Sequence, residues 1–226
     1  MQKLGLRYGE FFPKHCPMTD NPARLRPFLA LCKEYGVTPW SWGVQAFTNK
    51  HDANKKVFDF GKAVGLKMFS ADPTPDAFDS LDKLCEEYHI AVGIHPHGPV
   101  GAGLHRWYSA ETILKAVKDH HPLIGACLDT GHLIRSAQLG KRLDPAEQVR
   151  VMGKRNFGMH LKDHDNTTKQ DVVFGRGSLD VAAVLKALRE VKFDGMLAIE
   201  YEHNPAEPTR DVAACVEVFK AAARKS

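Results

Sequence analysis

The chain has 226 residues, of which 43% are hydrophobic, and a net charge of +4 with its histidines neutral. This length is enough for one large α/β core, so we expect a single folded domain over residues 1–226. Lysines and arginines are interleaved with acidic residues, which excludes the basic stripe of a nucleic-acid-binding protein and favours a small anionic or neutral ligand.

The cysteines and the apolar segments indicate the cellular compartment in which the protein is expected. Five cysteines are widely spaced and form no CxxC pair, a pattern typical of reduced, buried thiols in an intracellular protein. No apolar run approaches the roughly 18 residues of a membrane helix, and no signal-type apolar segment follows Met1. We therefore predict a cytoplasmic protein without a membrane partner; a longer precursor is the alternative.

Seven short apolar segments predict β-strands, and helical patterns with start and stop signals lie between them. The predicted strands are Leu6–Phe12, Thr38–Gln45, Leu66–Asp72, Ile90–Gly98, Ile124–His132, Phe157–Asp165 and Met196–His203. The predicted helices are Pro22–Tyr35, Ala53–Val64, Pro75–Tyr88, Ala110–Asp119, Pro145–Met152, Leu179–Val191 and Thr209–Ala223. A strand and a helix repeated about every 30 residues indicate a parallel sheet built from βαβ units.

A closed TIM barrel needs eight strands, and the N-terminus indicates where the eighth is missing. The segment "QKLGL" is typical of the last turn of a helix, with Gly5 as its stop signal, leading into the first predicted strand. We therefore predict an α/β fold of the TIM (β/α)8-barrel type that lacks its first β-strand and most of its first helix. Such a barrel either stays open on one side, borrows a strand from a partner, or closes with seven strands. An open edge favours a homo-oligomer that covers it. A doubly wound sheet is the alternative.

Four successive predicted strands end in residues that can bind a metal. His95 and His97 end the fourth strand, Asp129 and His132 the fifth, His160 and Lys162 the sixth, and Glu200 and Glu202 the seventh. The carboxyl ends of parallel strands meet at one rim, so these side chains should form a polar cup. Buried carboxylates and imidazoles are costly unless they are paired or bind a cation. We predict one divalent ion, with Mn, Zn, Co or Mg the leading choices.

The motifs "LDTGH", "HLKD", "FGRGSLD" and "GMLAIEYEHNP" together resemble the sugar phosphate isomerase/epimerase superfamily, which has the xylose isomerase-like TIM-barrel fold and is grouped with AP endonuclease family 2. The resemblance runs from about Leu6 to the C-terminus. It implies that the metal ligands are His95, Asp129, His160 and Glu200. It also implies that His132 touches substrate oxygens and that Arg176 faces the sugar or its phosphate.

The resemblance also implies a mechanism. Ketose 3-epimerases of this superfamily use two glutamates that bind the metal and move a proton on opposite faces of the substrate, and here the first of these positions is His95. We expect a divalent ion to stabilise an enediolate of a small carbohydrate while Glu200 removes the proton. Glu202, His97 and Lys162 are candidates for the second proton transfer; Lys162 is alternatively a cation for the oxyanion or paired with Asp163.

Three further side chains are candidates for the substrate pocket. Trp40 and Trp42 share one face of the second predicted strand, where they either stack on a sugar or pack in the core. Glu10 ends the first predicted strand and either contributes to the pocket or is solvated at the rim.

The expected function is a metal-dependent sugar isomerase or epimerase. The histidine at position 95 also allows a lyase or hydratase of an oxidised sugar. An AP-endonuclease-like phosphodiesterase should have more zinc ligands and a basic surface, neither of which is evident. A non-catalytic relative is the last alternative.

Overall fold

A computed structural model describes residues 1–225, so Ser226, the last residue of the predicted domain, lies outside the described part. The strands are β1 (Tyr8–Phe11), β2 (Thr38–Phe47), β3 (Met68–Pro73), β4 (Ala91–Ile94), β5 (Pro99–Val100), β6 (Gly103–Leu104), β7 (Ile124–Asp129), β8 (Asn156–Leu161), β9 (Asp163–Asp165), β10 (Gln170–Val172) and β11 (Met196–Ile199). The helices are α1 (Pro22–Glu34), α2 (His51–Val64), α3 (Phe78–Tyr88), α4 (Ala110–Val117), α5 (Thr130–Arg135), α6 (Pro145–Met152), α7 (Val181–Glu190) and α8 (Thr209–Ala223).

Seven strands form one parallel sheet in the order β1-β2-β3-β4-β7-β8-β11. This order follows the chain, as right-handed βαβ crossovers produce when each strand is added beside the last. The sheet is nearly closed, and helices lie between successive strands. The predicted barrel with seven strands is therefore confirmed.

The strand interiors explain why this sheet is buried on both sides. Every residue of β4 and β7 is buried, as expected for parallel strands covered by helices. Phe58 of α2 packs against Phe69 of β3 with ring centroids 5.1 Å apart, and both are fully buried. All five cysteines are buried free thiols, as the sequence predicted.

The edges of the sheet are β1 and β11, and no backbone pairing joins them within residues 1–225. An apolar slot of about 180 Å³ lies between β11, helix α8 and the segment that precedes β1, and it is lined by Leu6, Leu161, Ile199 and Phe219, among other residues. A homo-oligomer that covers this open edge stays a prediction. None of the helices that the structure describes is long and apolar enough to cross a membrane.

Two local differences from the sequence prediction affect the rim. The "LDTGH" segment does not continue as a strand to His132, because the side chain of Asp129 accepts a hydrogen bond from the His132 N–H and begins helix α5. The "HLKDHD" segment likewise leaves the barrel after Leu161, and residues 163–165 pair with β10 in a separate antiparallel hairpin. Both departures place polar side chains directly above the barrel.

Candidate metal centre

The four residues predicted as metal ligands lie together at the carboxyl end of the barrel. His95 follows β4, Asp129 ends β7, His160 lies in β8 and Glu200 follows β11. One nitrogen or oxygen from each of the four lies within 4.8 Å of the others. The Nε2 atom of His95 is 3.0 Å from Nδ1 of His160, which is in turn 2.6 Å from Oε2 of Glu200.

The hydrogen bonding of this cup fits a cation. Oδ2 of Asp129 and Oε2 of Glu200 are buried and make no hydrogen bond of good geometry to the described residues, although each lies near an imidazole nitrogen. Asp129 is fully buried, and an unpaired buried carboxylate oxygen is costly. Two imidazole nitrogens and two carboxylate oxygens make a donor set that suits a borderline or hard divalent ion. The residues present therefore fit the metal that the resemblance implies.

Asp129 uses its two oxygens for two purposes. Oδ1 accepts the backbone N–H of His132 at 2.7 Å and so caps α5, while Oδ2 faces the cup 3.5 Å from Nε2 of His95. The first turn of α5 approaches β8 closely, since a Cβ on Gly131 would lie 2.6 Å from side-chain atoms of Lys162. Glycine at this position lets α5 pack against the Lys162 side chain.

Lys162 is a buried cation at the centre of several carboxylates, with only 1% of its side chain exposed. Its Nζ lies 2.6 Å from Oε1 of Glu200, 2.8 Å from Oε2 of Glu202 and 3.9 Å from Oδ2 of Asp129. Burial opposes the charged amine, but the carboxylates of Asp129 and Glu200 outweigh it and raise the pKa of Lys162 well above its usual value. The lysine therefore acts as a cation that holds Glu200, and the alternative of an ion pair with Asp163 is not what the structure shows.

The pKa of the Glu200 carboxyl group is set by opposing effects of the groups around it. Burial and the charge of Asp129 raise its pKa, but His160 and Lys162 lower it to about 2. Glu202 is mostly exposed and reaches the cup through its contact with Lys162.

Two further histidines stand beside His95. The ring of His97 lies 5.0 Å from the ring of His95 and 4.6 Å from that of His132, measured between centroids. The Nδ1 atom of His132 accepts the N–H of Gly98 at 3.1 Å. Burial, reinforced by neighbouring imidazoles, lowers the pKa of His97 to about 4 and that of His132 to about 3, although Asp129 opposes the shift at His132. Both rings are neutral near pH 7.

Arg176 lies on a loop above the barrel, and its side chain is exposed. The loop is fixed by Asp163, whose carboxylate accepts the backbone N–H groups of Gly175, Gly177 and Leu179 at 2.9 to 3.0 Å. Asp163 is thus an anchor for this loop, a role that its position in "HLKD" did not reveal. The place of Arg176 at the substrate stays a prediction.

The two tryptophans lie outside the cup. Trp42 is 3% exposed, packs edge-on against Phe60 of α2 and donates its indole N–H to the carbonyl of Cys16 at 2.9 Å. Trp40 packs against Tyr8 with ring centroids 5.3 Å apart. Ser41, between them, points into the barrel, and alternate residues of a strand face opposite sides. Trp42 therefore packs in the core, which is the alternative that the sequence left open, whereas a contact of Trp40 with a sugar stays a prediction.

Glu10 lies inside the barrel, below the cup. Its Oε1 is 3.0 Å from Nε2 of His160, and its carboxylate also accepts the hydroxyls of Ser41 and Ser70. The sequence analysis named Glu10 as a possible pocket residue. Its contact with His160 could not be predicted from the local sequence, because the two residues are 150 positions apart in the chain.

Comparison with curated proteins finds a distant relative. An uncharacterised protein of Methanocaldococcus jannaschii is 27% identical over 144 residues, which cover 61% of this chain and 44% of that protein. The chain thus matches less than half the length of this relative.

Solved structures match the fold over almost the whole chain. A putative uncharacterised protein from Parabacteroides distasonis has a TM-score of 0.70 and 26% identity, covering 97% of this chain and 89% of its own. A D-psicose 3-epimerase from Clostridium cellulolyticum, solved with D-tagatose, has a TM-score of 0.73 and 13% identity, covering 98% of this chain and 90% of its own. The family model described as xylose isomerase-like TIM barrel matches residues 1–221. The chain therefore belongs to the xylose isomerase-like TIM-barrel family.

Proposed function

We propose that the protein is a divalent-metal-dependent isomerase or epimerase of a sugar, keto-sugar or sugar phosphate, acting through an enediolate. The observation that carries this proposal is the convergence of His95, Asp129, His160 and Glu200 at the barrel rim, with two buried carboxylate oxygens that make no hydrogen bond of good geometry. The likeness of the fold to sugar epimerases supports the choice of a small carbohydrate as the substrate.

The four residues would hold one Mn, Zn, Co or Mg ion. The bound ion supplies Lewis-acid stabilisation of the negative charge that develops on substrate oxygen. Two nitrogen donors favour Mn, Zn or Co over Mg, which prefers an all-oxygen environment.

Glu200 is the base in this proposal. Lys162 holds Oε1 of Glu200 at 2.6 Å, so the carboxylate is fixed between the lysine and the cup. The proton from the substrate carbon moves to a Glu200 oxygen, and Lys162 stays charged beside the developing oxyanion. His97 and His132 line the side of the cup nearest His95, where a second proton transfer takes place.

Solvent deuterium exchange at carbon tests the proposal. The wild-type protein, loaded with Mn²⁺, is incubated with a panel of ketoses, aldoses and sugar phosphates in D₂O, and exchange is followed by NMR. We expect exchange in at least one substrate and a loss of at least about 100-fold in Glu200→Gln, since a positioned acid or base contributes about 10²–10⁴-fold. Glu207→Gln, on an exposed loop, is the matched control. Absence of exchange in every substrate would contradict the proposal.

A lyase or hydratase of an oxidised sugar is the second candidate. The observation that favours it is the cluster of His95, His97 and His132, which puts imidazoles rather than a second carboxylate on the β4 side of the cup. A neutral imidazole there can accept the proton that a substrate carbon loses when water is eliminated. Mass spectrometry of keto-glycoside and keto-sugar incubations distinguishes the two, because a hydratase changes substrate mass by one water and an epimerase leaves it unchanged.

A further inference from the structure

Glu10 is a mostly buried carboxylate that the proposed reaction does not use. It extends from β1 into the barrel, where its side chain is 13% exposed. Its Oε1 lies 3.0 Å from Nε2 of His160, the ring nitrogen on the side away from Glu200. The two atoms are within hydrogen-bond distance, but the ring is not aligned for a linear N–H···O hydrogen bond within residues 1–225.

Glu10 is itself held in place by two strands. Ser41 of β2 donates its hydroxyl to Oε2 at 2.5 Å, and Ser70 of β3 donates to Oε1 at 2.6 Å. Both serines are fully buried. A carboxylate held by two buried hydroxyl donors has a fixed position beside His160.

We propose that Glu10 is a positioning residue for His160, so that its carboxylate holds the imidazole with Nδ1 facing the metal. This inference rests on the proposed metal site. A metal-binding histidine usually has its other ring nitrogen paired with a carboxylate or carbonyl, which fixes the tautomer, orients the ring and increases the basicity of the ligand nitrogen. Nδ1 of His160 faces the oxygen of Glu200 at 2.6 Å, so a proton held on Nε2 leaves the Nδ1 lone pair for the ion.

This role differs from the substrate contact that the sequence favoured for Glu10. Both carboxylate oxygens are already engaged, Oε1 by Ser70 and His160 and Oε2 by Ser41. Glu10 lies beside Nε2 of His160, whereas Glu200 lies beside Nδ1 of the same ring. Loss of Glu10 should therefore act on metal affinity first, and on substrate affinity only through the metal.

The test is a calorimetric titration of the metal-free protein with Mn²⁺ and Co²⁺, in the absence of substrate. We expect Glu10→Gln to weaken binding by about 10–100-fold, the usual effect of removing such a partner. The visible absorption of the Co²⁺ form should also change, since it reports the ligand geometry. Glu34→Gln, at the exposed end of α1, should bind like the wild type. Unchanged affinity and absorption in Glu10→Gln would overturn the proposal.

Other outcomes separate this proposal from the proposed function. If Glu10→Gln does not fold, Ser41→Ala and Ser70→Ala replace it as the test. Each removes one hydrogen bond to Glu10 and keeps its charge, so each should weaken Mn²⁺ binding by a smaller factor. Wild-type affinity in both variants would overturn the proposed role of Glu10. A wild-type protein that binds no ion overturns both proposals. A stoichiometry of two ions, one held by Glu10, Cys127 and His160, overturns this one alone, because Glu10 would then be a ligand.

Discussion

Single residues at the rim carry both structure and chemistry, and Asp129 is the clearest case. One of its oxygens caps α5, and the other faces the metal cup. Asparagine is also a good helix cap but replaces the charged donor set with a neutral one. The two purposes of this residue can therefore be separated by one substitution.

We expect Asp129→Asn to keep the fold and lose the metal. Its divalent-ion affinity should fall by at least about 100-fold, the upper end of the effect of removing a partner of a ligand. The circular dichroism spectrum and the unfolding temperature of the metal-free protein should stay close to wild type. Calorimetric titration with Mn²⁺ measures the first, and tight wild-type-like binding would exclude Asp129 as a ligand.

Lys162 supplies the second prediction at this scale. Replacing it with methionine keeps the volume but leaves Glu200 and Asp129 without their buried cation, at a cost of about 3–5 kcal/mol in the free energy of unfolding. A bound divalent ion should recover part of this loss because it supplies positive charge to the same oxygens. Urea denaturation with and without Mn²⁺ measures both effects. Lys220→Met, which removes an exposed ion pair, should cost less than about 1 kcal/mol; equal losses in the two variants would contradict the account.

At the scale of elements, the loops after the strands decide the shape of the rim. The loop that carries Arg176 is held by Asp163, and it passes so close that a Cβ on Gly177 would lie 2.4 Å from Oδ1 of Asp163 and 2.6 Å from the backbone oxygen of His164. The backbone oxygen cannot move aside as a flexible side chain does. The loop is therefore fixed by close packing as well as by hydrogen bonds.

We expect Gly177→Ala to destabilise the protein by about 1–3 kcal/mol, the usual cost of overpacking. The matched control is Gly103→Ala, where a Cβ meets nothing within 4 Å and the change should stay within about 0.5 kcal/mol. Thermal unfolding of both variants is the measurement. A Gly177→Ala protein as stable as the Gly103→Ala protein would show that the loop adjusts freely.

The elements also show what the sequence could predict. The helices Pro145–Met152 and Thr209–Ala223 have the predicted bounds. The first begins at a proline capped by Asp144 and is followed by Gly153, and the second begins directly after Pro208. Strand ends were predicted too long, as at Ile124–His132, since an apolar run does not show where Asp129 turns the chain into a helix.

Some features of the candidate site could also be predicted from the sequence, and others could not. The convergence of the four donors follows from parallel strand ends and was predictable. Two contacts could not be predicted from the sequence: that of Trp42 with Phe60 and that of Glu10 with His160. Each joins distant parts of the chain and depends on which face of a strand points into the barrel.

At the scale of the whole molecule, the parallel sheet is left unpaired between β1 and β11 within residues 1–225. Edge strands and an apolar slot exposed together favour association. We expect a homo-oligomer in sedimentation analysis, and we expect Tyr8→Lys, at an exposed position on the β1 edge, to shift it towards monomer, because a charged edge opposes strand pairing. A wild-type protein that is monomeric at all concentrations would exclude this.

The central claim is that one divalent ion completes the cup of His95, Asp129, His160 and Glu200, and metal binding by the whole protein tests it most directly. After removal of metal with a chelator, titration with Mn²⁺, Zn²⁺ or Co²⁺ should give one ion per chain. Saturation at 100 times the dissociation constant should stabilise the protein by about 2.7 kcal/mol, which raises the unfolding temperature by roughly 5–10 °C. A protein that binds no stoichiometric ion, and whose unfolding temperature a chelator leaves unchanged, would contradict the account.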